Sequence, residues 1–332
     1  MPELRKDPVV GRWIIISRER RKRPTDFLIE QPKTSGGFCP LCPGNENTTP
    51  PEVLSYDKNG DRGKEGGEWQ VRVVPNKFPA LIIEGDLGKE GEGLYDRMNG
   101  IGAHEVIIEN PVHEQKFSDL APDKMLFVLL AFKERINDLS RDPRFKYVMI
   151  FKNHGKAAGA SLEHSHSQLI ALPILPRMIV SELAGALSYY RYKERCVFCD
   201  IIHQEMKQDV RVVCQNEHFI TLTPFAPRTP FEMWVLPKAH SSAYCKEDNS
   251  RLYSLAELFS ETLKRLDTCI QDVPYNFVLH TEPLQSPGLE HYHWHFEIVP
   301  KLTSIAGFEW GSGFYINSMP PEEAARHLRE AL

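Results

Sequence analysis

Residues 162–176 read LEHSHSQLIALPILP, in which two histidines and a glutamine alternate where an apolar run begins. The run has the composition of a β-strand, and successive side chains of a strand point to opposite faces of its sheet. His164, His166 and Gln168 therefore share one face of the predicted strand. A metal site, a catalytic site and an ordinary polar sheet surface are all consistent with such a face.

Two Cys-x-x-Cys pairs favour a metal site. Cys39 and Cys42 lie in FCPLC, and Cys196 and Cys199 lie in CVFC. This spacing lets a tight turn present two thiolates to one zinc ion, and each pair then needs two further ligands. The seven cysteines follow no export signal, so we expect a reducing, cytoplasmic compartment in which paired cysteines bind metal.

The second half of the chain repeats the order of elements of the first. In each half a cysteine pair precedes a strand-like run that ends in histidine, an amphipathic helix, further strands and a second histidine. Two zinc sites are therefore predicted. The first consists of Cys39, Cys42, His113 and His164, and the second of Cys196, Cys199, His240 and His293. The alternative is that these histidines are ordinary sheet residues beside reduced cysteines.

The repeat predicts an α+β fold with two tandem units, each an antiparallel sheet with one long helix. We expect the long helices at residues 119–140 and 250–271, and a connecting helix at 177–195. The N-terminal, catalytic half with the first zinc site is predicted to span residues 1–185. The C-terminal half with the second metal site then spans residues 186–332.

Composition and charge exclude some classes of partner. Of the 332 residues, 41% are hydrophobic and 26% are charged, which is typical of a globular protein with a sizeable core. The net charge of −5 gives no reason to expect nucleic acid as a partner. No window approaches the roughly 18 apolar residues of a membrane span, so no membrane partner is expected.

If His164 binds metal, His166 remains as a free imidazole on the same strand face. The preceding segment FKNHGKAAGASLE (151–163) is rich in glycine and small residues, which let backbone N–H groups approach a phosphate. A neutral imidazole there is a nucleophile for phosphorus, and Gln168 can donate a hydrogen bond to a phosphoryl oxygen. The second half has Glu297 in place of Gln168. Because a carboxylate repels phosphate, only the first half is expected to be catalytic.

The segment FKNHGKAAGASLEHSHSQ (151–168) resembles the signature of the galactose-1-phosphate uridylyltransferases, the transferase branch of the histidine-triad (HIT) superfamily. RERRKRP (18–24), PNKFPAL (75–81) and AGFEWG (306–311) extend the resemblance over nearly the whole chain. It implies two HIT-like units and a homodimer with active sites near the subunit interface. It also implies that His166 becomes nucleotidylated beside Gln168. The other implied residues are Arg20, Arg23, Asn76, Phe78, Asn153, Gly159 and Ser161 at the nucleotide and its phosphates, and Phe308 and Glu309 at the sugar.

The sequence departs from well-known members of that family in three places. Ser165 and Ser167 replace the usual Pro and Gly beside the nucleophile, and Thr303 replaces a Lys. Some relatives hold their second metal with one Glu and three His, which leaves iron as an alternative at the second site, although CVFC and His240 favour a Cys2His2 zinc with His293. The residues at comparable positions are Glu182, His280, His293 and His295. These departures, with GFYIN (313–317), resemble the ADP-glucose phosphorylase type.

The predicted function is nucleotidyl transfer by a ping-pong mechanism. An NDP-sugar gives its NMP to His166 and releases a sugar 1-phosphate, after which a second acceptor takes the NMP. The leading prediction is a UDP-glucose–hexose-1-phosphate uridylyltransferase of galactose metabolism, and the alternative is an ADP-glucose phosphorylase with phosphate as acceptor. A dinucleoside polyphosphate phosphorylase or hydrolase, and a zinc-stabilised nucleotide-binding module, are further alternatives. Both predicted zinc ions are structural, because four protein ligands leave no open position.

Overall fold

The structure is a computed structural model that describes residues 2–17, 37–63 and 67–332. Arg20 and Arg23, predicted at the nucleotide phosphates, lie outside these residues. The strands are β1 (Glu3–Lys6), β2 (Trp13–Ile16), β3 (Leu54–Tyr56), β4 (Val71–Pro75), β5 (Glu90–Glu92), β6 (Tyr95–Arg97), β7 (Ala103–Ile108), β8 (Tyr147–His154), β9 (His166–Leu172), β10 (Val212–Gln215), β11 (Phe219–Leu222), β12 (Met233–Pro237), β13 (Tyr275–His280), β14 (His295–Pro300) and β15 (Tyr315–Asn317). The helices are α1 (Pro122–Leu139), α2 (Arg177–Lys193), α3 (Val197–Gln208), α4 (Asn249–Cys269), α5 (Gly307–Ser312) and α6 (Pro321–Glu330).

One ten-stranded sheet runs through both halves of the chain, in the order β3-β4-β7-β9-β8-β13-β14-β12-β11-β10. All neighbouring strands in it are antiparallel. From the central β8–β13 pair outward, the strands of the first half follow the order β8-β9-β7-β4-β3 and those of the second half the order β13-β14-β12-β11-β10, so the two orders correspond. The predicted α+β class with a large antiparallel sheet is confirmed. The division between residues 185 and 186 falls within α2, and the reading as two tandem units stays a prediction.

Helices α1 and α4 cover one face of the sheet and confirm the long helices expected from the sequence. Their apolar residues recur at helical spacing, so each helix buries one stripe. The fully or almost fully buried residues of this stripe include Met125, Val128, Leu129, Phe132 and Ile136 in α1, and Leu255, Leu258, Phe259, Leu263 and Leu266 in α4. Phe296 of β14 packs against Phe259 with ring centroids 4.9 Å apart.

The opposite face of the second half is covered by α2 and α3. Because side chains alternate along β14, His295 points away from α4 and packs against Phe198 of α3, with ring centroids 5.0 Å apart. A small separate sheet joins the chain ends, since β15 pairs in parallel with β2 and β2 pairs with β1. In the part of the chain that the structure describes, no helix is both long and apolar enough to cross a membrane.

Candidate active site

The first cysteine pair and its two predicted histidines converge. The possible ligand atoms of Cys39, Cys42, His113 and His164 all lie within 4.8 Å of one another. The Cys42 sulfur is 3.3 Å from Nδ1 of His113 and 3.5 Å from Nδ1 of His164, and a tetrahedral zinc ion requires S···N edges of about 3.6 Å. His164 Nε2 donates to the Asn110 carbonyl over 2.8 Å, which leaves Nδ1 unprotonated toward the sulfurs. This arrangement fits zinc.

The second predicted set converges in the same way. The ligand atoms of Cys196, Cys199, His240 and His293 also lie within 4.8 Å of one another. The Cys199 sulfur is 3.4 Å from Nδ1 of His240 and 3.6 Å from Nδ1 of His293. His293 Nε2 donates to the Pro237 carbonyl over 2.9 Å, so its Nδ1 faces the cysteines. This donor set also fits a tetrahedral zinc ion.

The two clusters have nearly the same histidine geometry but differ at the cysteines. The rings of His113 and His164 are 5.4 Å apart at 85°, and those of His240 and His293 are 5.5 Å apart at 81°. The first cysteine pair lies in a turn, as expected from its spacing. CVFC instead begins α3, with one cysteine before the helix and one in its first turn. Residues three apart are neighbours on a helix, so this start also brings two thiolates together.

His166 is held with one ring nitrogen occupied and the other free. Its Nδ1 donates to the His164 carbonyl over 2.8 Å, so Nε2 carries the lone pair. Burial, together with the positive charge of Lys152, lowers the pKa of His166 below its ordinary value. The ring is therefore neutral near pH 7. A neutral imidazole with a free Nε2 is the form that attacks phosphorus.

Gln168 follows on the same strand face, and His104 of β7 fixes the orientation of its amide. Nδ1 of His104 accepts the Ala80 N–H over 3.1 Å, which places the proton on Nε2; this Nε2 donates to Gln168 Oε1 over 2.9 Å and lies 3.2 Å from the Asn76 amide nitrogen. With its oxygen occupied, the Gln168 amide has its NH2 group left to donate. This group is suited to a phosphoryl oxygen.

The glycine-rich loop before the nucleophile is tied to the second half of the chain. The Asn276 amide of β13 donates to Asn153 Oδ1 and to the Ala158 carbonyl, each over 2.8 Å. The NH2 group of Asn153 therefore remains as a donor. Gly155 and Gly159 have φ angles of 79° and 89°, in the left-handed region that favours glycine. Ser161, predicted at the phosphates, is exposed.

The residues predicted at the base and the sugar lie on exposed segments. Asn76 directly follows β4, and its Oδ1 accepts the Phe78 N–H over 2.9 Å. The Phe78 side chain is 84% exposed, so its ring is accessible to a ligand. Phe308 and Glu309 lie in the short helix α5, where Glu309 Oε2 caps the Ala306 N–H.

Comparisons with known proteins confirm the family resemblance seen in the sequence. A family model described as galactose-1-phosphate uridyl transferase, N-terminal domain, matches residues 1–176, and one described as a domain of unknown function (DUF4921) matches residues 112–332. An ADP-glucose phosphorylase of Arabidopsis thaliana is 38% identical, over 99% of this chain and 93% of the relative. The chain belongs to the galactose-1-phosphate uridylyltransferase family. The predicted enzyme class, nucleotidyltransferase, is confirmed with it.

A second relative and a solved structure extend the likeness. A galactose-1-phosphate uridylyltransferase of Thermotoga maritima is 29% identical, over 99% of this chain and 98% of the relative. A crystal structure of an ADP-glucose phosphorylase from Arabidopsis thaliana with bound ADP-glucose has a TM-score of 0.85 and 36% identity. That comparison covers 99% of this chain and 98% of the other chain.

A third group of possible metal ligands lies beside the second cluster. Glu182 Oε2 is 3.0 Å from His280 Nδ1, and Glu182 Oε1 is 3.3 Å from His295 Nε2. The alternative set of one glutamate and three histidines expected from the resemblance does not converge as a whole, because His293 turns its Nδ1 to the cysteines instead. Although burial raises the pKa of Glu182, the adjacent His280 and His295 lower it well below its ordinary value.

Sequence reasoning missed the residues that support the site from other strands. His104 and Asn276 are distant in sequence from the residues that they orient. Glu109 and Lys152 form a buried ion pair behind the nucleophile, with 2.6 Å between Oε2 and Nζ. One signal was available for Lys152, because it occupies the inward position of β8 after Val148 and Ile150. A lysine at an inward strand position requires a buried partner.

Proposed function

We propose that the protein transfers a nucleoside monophosphate from an NDP-sugar to a second acceptor through a nucleotidyl-His166 intermediate. The observation that carries this proposal is the hydrogen bond from His166 Nδ1 to the His164 carbonyl, which leaves Nε2 as the nucleophilic atom. The neutral, buried ring supports the same role.

In the first half-reaction the Nε2 lone pair attacks the α-phosphorus and forms a P–N bond. The bond from the α-phosphorus to the bridging oxygen breaks, and its electron pair leaves with the sugar 1-phosphate. The ring retains its Nδ1 proton and becomes positively charged beside the His164 carbonyl oxygen, 2.8 Å away, which stabilises that charge. Attack on the α-phosphorus by the second acceptor reverses this change and restores the neutral imidazole.

Among the residues that the structure describes, stabilisation of the phosphoryl charge is assigned to neutral donors. The NH2 groups of Gln168 and Asn153 are available because His104 and Asn276 bind their oxygens. Backbone N–H groups of the loop that contains Gly159 and the Ser161 hydroxyl can contribute further hydrogen bonds. Arg20 and Arg23 remain predicted phosphate ligands from the resemblance.

The sugar and base sites are assigned from the family resemblance, and exposure supports the assignment. Asn76 and Phe78 would bind the nucleoside, and Phe308 and Glu309 would bind the sugar. The α5 segment carries exposed aromatic side chains, with Phe308 at 48% and Trp310 at 79% exposure. Exposed apolar side chains close together are typical of interaction sites, which supports a homodimer with the sugar loop near the subunit interface.

ADP-glucose with phosphate as acceptor becomes the preferred reaction. The supporting observation is the 38% identity to an ADP-glucose phosphorylase, against 29% to a galactose-1-phosphate uridylyltransferase, over the same 99% of this chain. The Ser165 and Ser167 departures agree with this preference. Transfer of UMP from UDP-glucose to galactose 1-phosphate, the leading prediction from the sequence, remains the second candidate because of the family match at residues 1–176.

Each Cys2His2 cluster is proposed to hold one zinc ion, and the compartment is proposed to be cytoplasmic. Four protein ligands would complete a tetrahedral site, so the metal, when bound, supplies folding energy rather than a reactive water. Iron at the second site remains the alternative. Because His164 belongs to the first cluster, its metal would also fix the peptide that orients His166.

Initial-rate kinetics test the donor, the acceptor and the mechanism together. ADP-glucose with phosphate, and UDP-glucose with galactose 1-phosphate, are each varied in a matrix of donor and acceptor concentrations. We expect parallel double-reciprocal lines, the signature of a ping-pong mechanism, and a higher kcat/KM for the ADP-glucose pair. Intersecting lines that require both substrates on the enzyme would contradict a nucleotidyl-enzyme intermediate.

A further inference from the structure

A buried ion pair lies directly behind the nucleophile, and neither of its side chains contacts the reacting atoms in the chemistry proposed above. The side chains of Lys152 and Glu109 are 1% and 0% exposed. Lys152 Nζ donates to Glu109 Oε2 over 2.6 Å, to Ser165 Oγ over 3.1 Å and to the His166 carbonyl over 2.9 Å. All three protons of the ammonium group are thereby used, one of them on the main chain of the nucleophile.

Two serines connect the same carboxylate to the residues on either side of His166. The Ser165 hydroxyl donates to Glu109 Oε2 and the Ser167 hydroxyl to Oε1, each over 2.5 Å. Side chains alternate along a strand, so both serines lie on the face opposite the imidazole. The carboxylate therefore spans the strand behind His166 and holds it on both sides.

Stability alone is a weak reason for such a network. A buried ion pair costs desolvation energy, and apolar residues of similar volume often leave a protein equally stable. A fully satisfied polar network does fix one arrangement of the atoms that it joins. Here those atoms include the His166 carbonyl and the hydroxyls of Ser165 and Ser167, the residues on either side of the nucleophile.

We propose that Lys152 and Glu109, with Ser165 and Ser167, are positioning residues that hold the 165–167 main chain so that His166 Nε2 is aimed at the α-phosphorus. This inference rests on the proposed nucleotidyl transfer. Displacement of a reacting group by about 1 Å can lower a rate by about 100-fold. Loss of the network is therefore expected to slow attack by the tethered imidazole while leaving nucleotide binding intact.

The test replaces the pair by apolar residues of similar size, Lys152→Met with Glu109→Leu. Single-turnover release of glucose 1-phosphate from ADP-glucose, and in parallel from UDP-glucose, is measured without acceptor. We expect a decrease of at least about 10-fold in the rate constant, with unchanged zinc content and ADP affinity. The matched control is the buried pair of the second half, Arg211→Met with Glu205→Leu, which should retain the wild-type rate constant.

The same replacements in a His166→Gly enzyme distinguish loss of positioning from a general loss of active-site structure. In His166→Gly, imidazole from solution attacks the α-phosphorus, forms the phosphorimidazolide and releases glucose 1-phosphate. Free imidazole needs no orientation by the 165–167 main chain, so the Lys152→Met/Glu109→Leu change should leave this rescued rate unaltered. The proposal would be overturned if the paired replacement lowered the rate constant equally in the enzyme with His166 and in His166→Gly with imidazole. It would also be overturned if the paired replacement left the rate constant of the enzyme with His166 at the wild-type value.

Ser167→Ala provides a milder change if the paired replacement does not fold. It removes one hydrogen bond to Glu109. The reaction of His166 with the donor should be several-fold slower, and the reaction of free imidazole in His166→Gly should be unchanged. No decrease in the tethered reaction, or the same decrease in both, overturns the positioning role. Absence of glucose 1-phosphate release from either donor by the wild-type enzyme is a separate result that refutes the proposed function itself.

Discussion

His166 donates its Nδ1 proton to the main-chain carbonyl of His164, 2.8 Å away. His164 in turn faces Cys42 with its own Nδ1. One peptide therefore joins the first cysteine–histidine cluster to the nucleophile and selects the tautomer that leaves Nε2 free. The same contact recurs in the second half, where His295 Nδ1 is 3.0 Å from the His293 carbonyl.

Loss of the first metal should impair catalysis more than loss of the second. We expect Cys42→Ala and Cys199→Ala each to remove about one zinc ion per chain and lower the Tm, because each breaks a four-ligand site. Only Cys42→Ala should greatly slow formation of nucleotidyl-His166, because its cluster contains His164, whose carbonyl orients His166. Elemental analysis, thermal unfolding and single-turnover rates provide the comparison. Equal losses of rate would argue against this link.

His104 should matter through Gln168. Without the 2.9 Å hydrogen bond from His104 Nε2, the amide of Gln168 can rotate and present its oxygen to the phosphate. We expect His104→Ala to lower kcat by about 10-fold or more, as expected for loss of an oriented donor. In a double-mutant cycle, His104→Ala should have little further effect once Gln168→Ala is present. Additive losses would mean that the two side chains act independently.

Asn276 should hold the phosphate loop from the opposite half. Its amide makes two 2.8 Å hydrogen bonds, one to the Asn153 side chain and one to the Ala158 carbonyl. Asn276→Ala is expected to lower the free energy of unfolding by about 1–3 kcal/mol and to raise the KM for the NDP-sugar. Denaturant unfolding and steady-state kinetics measure both effects. Asn59→Ala, on an exposed loop, is the control that should change neither.

Acid should destabilise the protein partly through His154. Burial, then the charges of Lys152 and Lys116, lower its pKa from 6.5 to about 4, while Glu109 and Asp272 oppose this shift. As the pH falls below about 6.5, His154 becomes protonated in the unfolded chain but not in the folded chain. The free energy of unfolding therefore falls until about pH 4. The full pKa shift corresponds to about 3 kcal/mol of unfolding free energy, and the partial exposure of the His154 ring reduces this contribution.

The contribution of His154 to the unfolding free energy is isolated by comparing His154→Gln with wild type between pH 7 and pH 4. The difference in unfolding free energy between the two proteins should change progressively in favour of His154→Gln from pH 7 to pH 4. His203→Gln, at an exposed position of α3, should follow the wild-type curve. Parallel curves for His154→Gln and wild type would show that His154 makes no contribution.

The sequence predicted those parts of the site that local spacing determines. Cysteines three apart and histidines at alternate strand positions must lie close together whatever the rest of the fold does. The family and the fold class, drawn from the segment that contains His166 and from the repeat, are confirmed by the comparisons and the structure. The ligands of each cluster do converge, and their occupation by zinc stays a prediction.

The supporting residues could not be found in this way because they come from distant positions. Lys152 meets Glu109 only after β8, β9 and β7 have paired in their observed register. Asn276 reaches the phosphate loop only because β13 pairs with β8 across the centre of the sheet. Strand order over such separations depends on the whole hydrophobic core, which no short motif encodes.

In the proposed mechanism, His166 carries the nucleotide between the two half-reactions. The most direct measurement is the intact mass of the zinc-loaded protein after incubation with ADP-glucose, or with UDP-glucose, in the absence of an acceptor. We expect a mass increase of one AMP or one UMP that maps to His166 and is absent in His166→Asn. No gain with either donor, or the same gain in His166→Asn, would contradict it.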